Sequence, residues 1–275
     1  MERLPGREKE GKEMSFLQHL EELRWHLVRS VSAITIIAVV AFLNKEILFD
    51  DILLAPKNPS FLTYRWLCFI SHKLNMGDQL CVDNIPFNLI STDLSAQFTT
   101  HMWVAFVAGL IVASPYVLWE IWLFIKPALY ERERNYARGI VFYTSSLFLT
   151  GVLFGYYVIS PMSVNFLGTY QVSTEVQNMI TLASFISTVT TLTLLTGLVF
   201  ELPIAIYFLT KIGLMSPAFM KAYRKHSVVI ILILAAIITP TSDATTMILV
   251  AVPLYVLYEI SIIVSARVIR NKSKA

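Results

Sequence analysis

Apolar residues in this chain run in long blocks rather than in the short stripes of a soluble domain. Six stretches stand out, at about 27–49, 97–125, 139–161, 182–210, 227–239 and 246–265. A bilayer crossing takes roughly 20 residues at about 1.5 Å each. The fifth stretch is too short for that and needs a thinned bilayer or a tucked hairpin. No series of alternating ~10-residue segments occurs, so the pattern argues against a β-barrel. It predicts an all-α integral membrane protein with six transmembrane helices.

The polar segments between the blocks give the topology. Of the 22 Lys and Arg residues, 18 fall in the N-terminal segment up to and including Arg29 or in 126–138, 211–226 and 265–275. The opposite side carries only Lys45, Lys57, Arg65 and Lys73, and the 162–180 and 240–245 loops carry none. The positive-inside rule places both termini in the cytoplasm. Composition agrees: 56% of residues are hydrophobic and 15% charged, against roughly 25% charged in soluble domains. The net charge of +3 belongs to the cytoplasmic fringe and gives no reason to invoke nucleic acid. Residues 1–14 read as a disordered cytoplasmic tail and 271–275 as a second one. The first apolar run lacks a small-residue cleavage site, so no signal peptide is expected to be removed.

One carboxylate interrupts the fourth block. Glu201 lies in Phe200-Glu-Leu-Pro203, after the threonines Thr190, Thr191, Thr193 and Thr196. A carboxylate in hydrocarbon is costly and normally faces protein or water. Pro203 cannot donate to the carbonyl of Val199, so a kink is expected there. Together these features predict a polar pocket cut into a membrane helix. The alternative is a residue near a helix end that snorkels to water, since Lys211 follows closely.

Cys68 and Cys81 both lie in the long 50–96 segment, which the topology places outside. In an oxidising compartment they can form a disulfide, the alternative being two free thiols. Phe61, Tyr64, Trp66 and Phe69 in the same loop predict a folded element close to the membrane surface.

Two cytoplasmic segments carry unexpected acids. Before the first block, Ser15 fits an N-cap, and Phe16, Leu20, Leu23 and Leu27 make one apolar helical face. His19, Glu22, His26 and Arg29 fall on another. Ordinary solvated charges on a membrane-surface helix would explain this, but the acidic pair Glu21–Glu22 runs against the basic rule for such segments. In the 126–138 segment, Glu131 and Glu133 follow Pro127 near a helix N-terminus, where the helix dipole favours negative charge. Two carboxylate patches on one face can also bind an arginine-bearing peptide through bidentate hydrogen bonds.

In several places, in order, the chain resembles the TatC family, the membrane receptor of twin-arginine protein translocation. The motifs are His19-Leu-Glu-Glu-Leu-Arg24, Phe124-Ile-Lys-Pro127-Ala-Leu129-Tyr-Glu-Arg-Glu133-Arg134 and Phe200-Glu201-Leu-Pro203, with Thr239-Pro240, Asp243 and Glu259 near the last hairpin. The likeness implies one membrane domain over 15–270 with a short last pair of helices; within it, 58–86 reads as an extended external loop. It implies that Glu22 and Glu133 help recognise twin-arginine signal peptides, with Arg24, Arg134 and Leu129 in the same motifs. Glu201 and Pro203 would line the concave side of a glove-shaped molecule. Single-span partners of the TatA and TatB type would dock near the last two helices, at Thr239, Pro240, Asp243 and Glu259. Self-association, export of folded cargo and a multi-pass place in the inner membrane follow from the same likeness.

Three positions depart from the family pattern. His26 stands where an arginine is common, Glu120 where Gln or another polar residue is expected, and the first external loop is longer through 60–85. Glu120 is read as a third acid of the receptor face. The competing function is a proton- or ion-coupled secondary transporter using Glu201, but the two halves show no internal repeat. No metal-ligand spacing, Gly-x-Ser-x-Gly or phosphate loop points to an enzyme, a metal or a cofactor.

Overall fold

The first apolar block begins earlier than its hydropathy indicates. In the computed structural model, which describes residues 16–75, 77–78, 81–82, 87–125, 137–173, 178–239 and 244–272, α1 is one helix from Phe16 to Leu43. The segment expected as a separate surface helix is the start of the first crossing. Its N-cap candidate, Ser15, lies outside the described residues.

After α1 the chain makes a π turn at Ile47–Leu53 and a 3₁₀ turn at Ala55–Lys57. Then follow α2 (Leu62–Lys73), β1 (Asn88–Ile90) and α3 (Ala96–Ile125). α4 (Ala137–Phe154) passes through a π turn at Gly155–Ile159 into α5 (Ser160–Thr169). β2 (Met179–Thr181) leads into α6 (Leu182–Phe200) and α7 (Leu202–Lys211). A short α8 (Pro217–Ala222) precedes the hairpin of α9 (Arg224–Ile238) and α10 (Ala244–Lys272).

Five helical stretches among the described residues are long and apolar enough to cross a membrane: Leu20–Leu43, Ala96–Ile125, Gly139–Thr169, Leu182–Lys211 and Thr246–Arg270. The remaining apolar segment, α9, is fifth in chain order and has 15 residues, roughly 22 Å of helix against a hydrocarbon layer of about 30 Å. The fifth helix is therefore short, as expected. The last is not: α10 has 29 residues. It continues through Pro253 and past the apolar block into the segment of Arg267 and Arg270, where water solvates a helix as readily as a coil.

Small residues set the helix contacts. Water drives no association between helices in lipid, so close van der Waals approach must do so. Gly151 and Gly155 face Gly197 and Thr193 where α4 and its π turn cross α6. A methyl on Gly151 would lie 2.7 Å from Phe200 Cβ and 2.9 Å from the Gly197 Cα. Where α1 meets α3, a methyl on Gly109 would lie 2.8 Å from the Ile34 carbonyl oxygen.

The end carrying the 44–95 loop has a core of its own. Leu53, Phe61, Tyr64, Phe87, Val104, Val164, Phe185 and Ile186 bury one another there. For the loop residues Leu53, Phe61, Tyr64 and Phe87, burial away from water is worth roughly 1.5–3 kcal/mol per large side chain. The Tyr64 hydroxyl lies 3.0 Å from the Pro56 carbonyl and 2.8 Å from that of Pro161, sharing its proton between them. Burial pushes the Tyr64 phenol well above its ordinary pKa. β1 and β2 pair in parallel, Asn88 with Met179 and Ile90 with Thr181, and so bind the two loops together. A Cys68–Cys81 disulfide closes the turn after α2, so the expected bridge is formed. Within that turn Gly77 takes φ +63°, a conformation that glycine adopts without strain.

Candidate functional site

At the end opposite this loop core, α1 turns its polar face to the protein. Glu22 and His26 are half-buried and Ser30 is buried. Leu20, Leu23 and Leu27 are exposed. That is the reverse of a soluble amphipathic helix, because lipid accepts the apolar stripe and the protein supplies the polar partners. Arg24 is exposed, about 200° around α1 from both Glu22 and His26.

A short polar contact joins α1 to α3 here. Nδ1 of His26 lies 2.5 Å from Oε2 of Glu120. Oε1 of Glu120 accepts a hydrogen bond from the Tyr116 hydroxyl at 2.7 Å, one turn earlier on α3. Glu120 is only 3% exposed. A buried carboxylate needs such partners to be tolerated. The expectation of a third receptor acid is thereby corrected: Glu120 is buried and both of its oxygens are engaged inside the protein. Two of the three departures from the family pattern, His26 and Glu120, are thus one contact. Neither periodicity nor hydropathy singles out Tyr116. Only its place one turn before Glu120 marks it.

Glu201 is the hinge residue of the fourth crossing. It ends α6 and begins α7. Its amide donates to the Leu198 carbonyl at 3.1 Å, and its own carbonyl accepts from Ile204 and Ala205 at 3.0 Å each. Pro203 is buried in the first turn of α7, so the break predicted from that proline is present. The break lies roughly 15 Å along the helix from Lys211, inside the Leu182–Lys211 stretch. Oε1 of Glu201 is buried and has no hydrogen-bond partner among the described residues. The oxygen is covered, which weighs against the snorkelling alternative.

The threonines of α6 do not form one pocket with Glu201. Thr196 donates to the Leu192 carbonyl at 2.7 Å and Thr190 to that of Ile186 at 2.8 Å, and Trp103 donates to the Thr190 hydroxyl at 3.1 Å. Thr191 is exposed. Steps of about 100° per residue fan these four side chains around the helix, and two of them bond to their own backbone.

The last hairpin is tied near its cytoplasm-assigned ends. Arg224 at the start of α9 donates to Glu259 Oε2 at 2.7 Å, and Tyr255 donates to Oε1 at 3.1 Å. This pair is partly exposed, so it contributes no more than about 1 kcal/mol. Thr239 is buried and closes α9 by donating to the Ala235 carbonyl at 2.9 Å. Helix rarely continues up to a proline, and Pro240 follows. Leu129, Glu133, Arg134, Pro240 and Asp243 lie outside the described residues.

Sequence and structure comparisons converge. A sequence model described as Sec-independent protein translocase protein (TatC) matches residues 18–253. The chain is similar to the TatC protein of Blattabacterium sp. subsp. Periplaneta americana, with 41% identity over 96% of this chain and 99% of that protein. It is 36% identical to TatC of Koribacter versatilis, over 91% of this chain and 84% of that one. Its fold is similar to a crystal structure of the twin-arginine translocase receptor TatC, with TM-score 0.68, 30% identity, and coverage of 91% of this chain and 99% of that one. With several crossing helices, the motifs in order and relatives matched along nearly their whole length, this multi-pass membrane protein belongs to the TatC family of Sec-independent protein translocase proteins.

Proposed function

We propose that this chain is the receptor of a twin-arginine export system in the cell's inner membrane. Six helices cross, the short α9 included, and both termini lie in the cytoplasm. The distribution of Lys and Arg supports this orientation. Residues 15–270 form the working domain, with 58–86 as an external loop and 1–14 and 271–275 as cytoplasmic tails.

The signal peptide's two arginines bind Glu22 and Glu133 at the cytoplasmic face, with Arg24 and Arg134 orienting these acids and Leu129 beside them. Guanidinium and carboxylate meet in a planar, two-bond geometry that lysine cannot reproduce. The observation that carries this reading is the seating of Glu22. It is half-buried on the inward face of α1, one turn before His26, which is fastened to Glu120. The acid therefore sits on a fixed platform rather than a loose tail, and less side-chain freedom is lost on binding.

Single-span partners of the TatA and TatB type dock along the hairpin that contains Thr239, Pro240, Asp243 and Glu259, and copies of the chain associate with one another. Glu201 and Pro203 face the concave side, where the break between α6 and α7 opens the helix. The test is cross-linking. A twin-arginine peptide with a photoreactive group beside its arginines is bound to membranes carrying the full chain. Adducts near Glu22 and Glu133 are expected, and they should vanish when the two arginines become lysines. Adducts that persist with paired lysines would defeat the reading.

A further inference from the structure

The disulfide-closed helix of the long loop presents its apolar side outward. On α2, Tyr64 and Ser71 are 1% and 0% exposed and lie on one face. The opposite face carries Leu62, Trp66, Phe69 and Ile70, all 41–60% exposed, with Leu74 following at 63%. At about 100° per residue these positions fall within one apolar stripe. The core beneath does not need them.

Three observations identify what covers the stripe. First, the helix is fixed to the third crossing at Tyr156 and Tyr157, well away from that crossing's other end. Phe61 stacks on Tyr157 and meets Tyr156 edge-on at 5.7 Å each, the Tyr156 hydroxyl donates to the Ile52 carbonyl at 2.6 Å, and Thr63 donates to the Tyr157 carbonyl. From Ile140, near the other end of that crossing, to Tyr157 is about 17 residues, or roughly 26 Å of helix, against about 30 Å of hydrocarbon. Second, the stripe points away from the bundle, because Tyr64 on the other side reaches Pro161 of the third crossing. Third, the cations fit an interface: Lys73 holds its amine 5.1 Å from the Phe69 ring centroid and is joined on this helix by Arg65. Aromatic rings at headgroup depth beside Lys or Arg are the posture of a helix lying in a lipid–water boundary.

We propose that α2 is an interfacial anchor. Its Leu62, Trp66, Phe69 and Ile70 face enters the headgroup–acyl boundary of the outer leaflet, and the Cys68–Cys81 bridge holds it there. The inference rests on the topology proposed above for the side of the membrane, but not for the lipid contact itself.

The experiment places a benzophenone amino acid singly at positions 66, 69 and 78 of the full chain in native membranes, with irradiation followed by mass spectrometry. Asp78, with its side chain 81% exposed, is the water-facing reference. An intact Cys68–Cys81 bridge in each variant certifies that the loop is folded. Lipid adducts at 66 and 69 at least about fivefold above those at 78 are the expected result for a helix seated in the interface. Protein adducts at 66 and 69, or lipid adducts no more frequent than at 78, would overturn the proposal. Labelling of Lys45 and Lys73 in intact cells by a membrane-impermeant amine reagent reads the side separately. Lipid adducts together with labelling only from the cytoplasmic side would overturn the topology and leave the lipid contact standing.

Discussion

His26 and Glu120, 94 residues apart in sequence, meet at 2.5 Å and fasten the first helix to the second crossing. Removing one partner should hurt more than removing both. His26→Ala leaves a buried carboxylate with Tyr116 alone, and loss of one member of a buried pair costs roughly 3–5 kcal/mol. His26→Ala with Glu120→Ala should recover part of that, with a coupling of about 1–3 kcal/mol. Thermal unfolding of the four-member cycle in one detergent measures it. A coupling near zero would mean that the contact holds nothing together.

Glu22→Ala and Glu133→Ala should each weaken a twin-arginine peptide without loss of inserted protein. A charge-assisted hydrogen bond is worth roughly 1.5–3 kcal/mol, so about a tenfold to hundredfold rise in Kd is expected per site. His26→Ala should also weaken binding, by a smaller factor, because it loosens the platform under Glu22. Equal affinity in the single and double acid variants would remove these residues from the binding site.

Glu201→Gln keeps the shape and most hydrogen-bonding capacity of the side chain while removing its charge. The variant should insert and bind signal peptide normally yet export cargo poorly, and Glu201→Ala should export no better. Wild-type export by the Gln variant would show that ionisation at this break plays no part.

The loop core should depend on both its bridge and its buried tyrosine. Cys68 and Cys81 are 13 residues apart, and closing a loop of that size contributes about 3 kcal/mol in the chain-entropy account. Cys68→Ser should therefore lower Tm, and alkylation without reduction should leave both cysteines of the native protein unmodified by mass. The Tyr64 phenol has a raised pKa in the fold, so its stabilisation is whole below its ordinary value of about 10 and is lost as pH rises beyond it. Tyr64→Phe should abolish this alkaline loosening, read by hydrogen exchange in α2, and should cost about 1 kcal/mol at neutral pH.

Gly151→Ala should separate two crossings. The added methyl would press on the Gly197 backbone at 2.9 Å and on Phe200 Cβ at 2.7 Å, neither of which is the far end of a flexible side chain. Overpacking of this kind costs roughly 1–3 kcal/mol. Gly139→Ala, with open space around it, is the matched control and should be neutral or slightly stabilising.

The apolar blocks, the short fifth helix, the proline break after Glu201 and the pairing of two cysteines in one loop were legible in the sequence alone. Each depends on chain length, local hydropathy or one residue's backbone chemistry, which neighbours in space alter little. The motifs also sufficed for the family. Tertiary structure alone decided which way the helices face. In a soluble protein an apolar stripe points inward, whereas lipid accepts it outward. The pattern of α1 therefore did not reveal that Glu22 and His26 turn in while Leu20 and Leu27 turn out. For the same reason Glu120 read as a free acid: its partner lies on another helix, and no local rule connects them. The length of α10 was missed because helix does not stop where hydropathy does. The outward apolar face of α2 emerged only when the packing of Tyr64 and Ser71 fixed which side of that helix was the inner one.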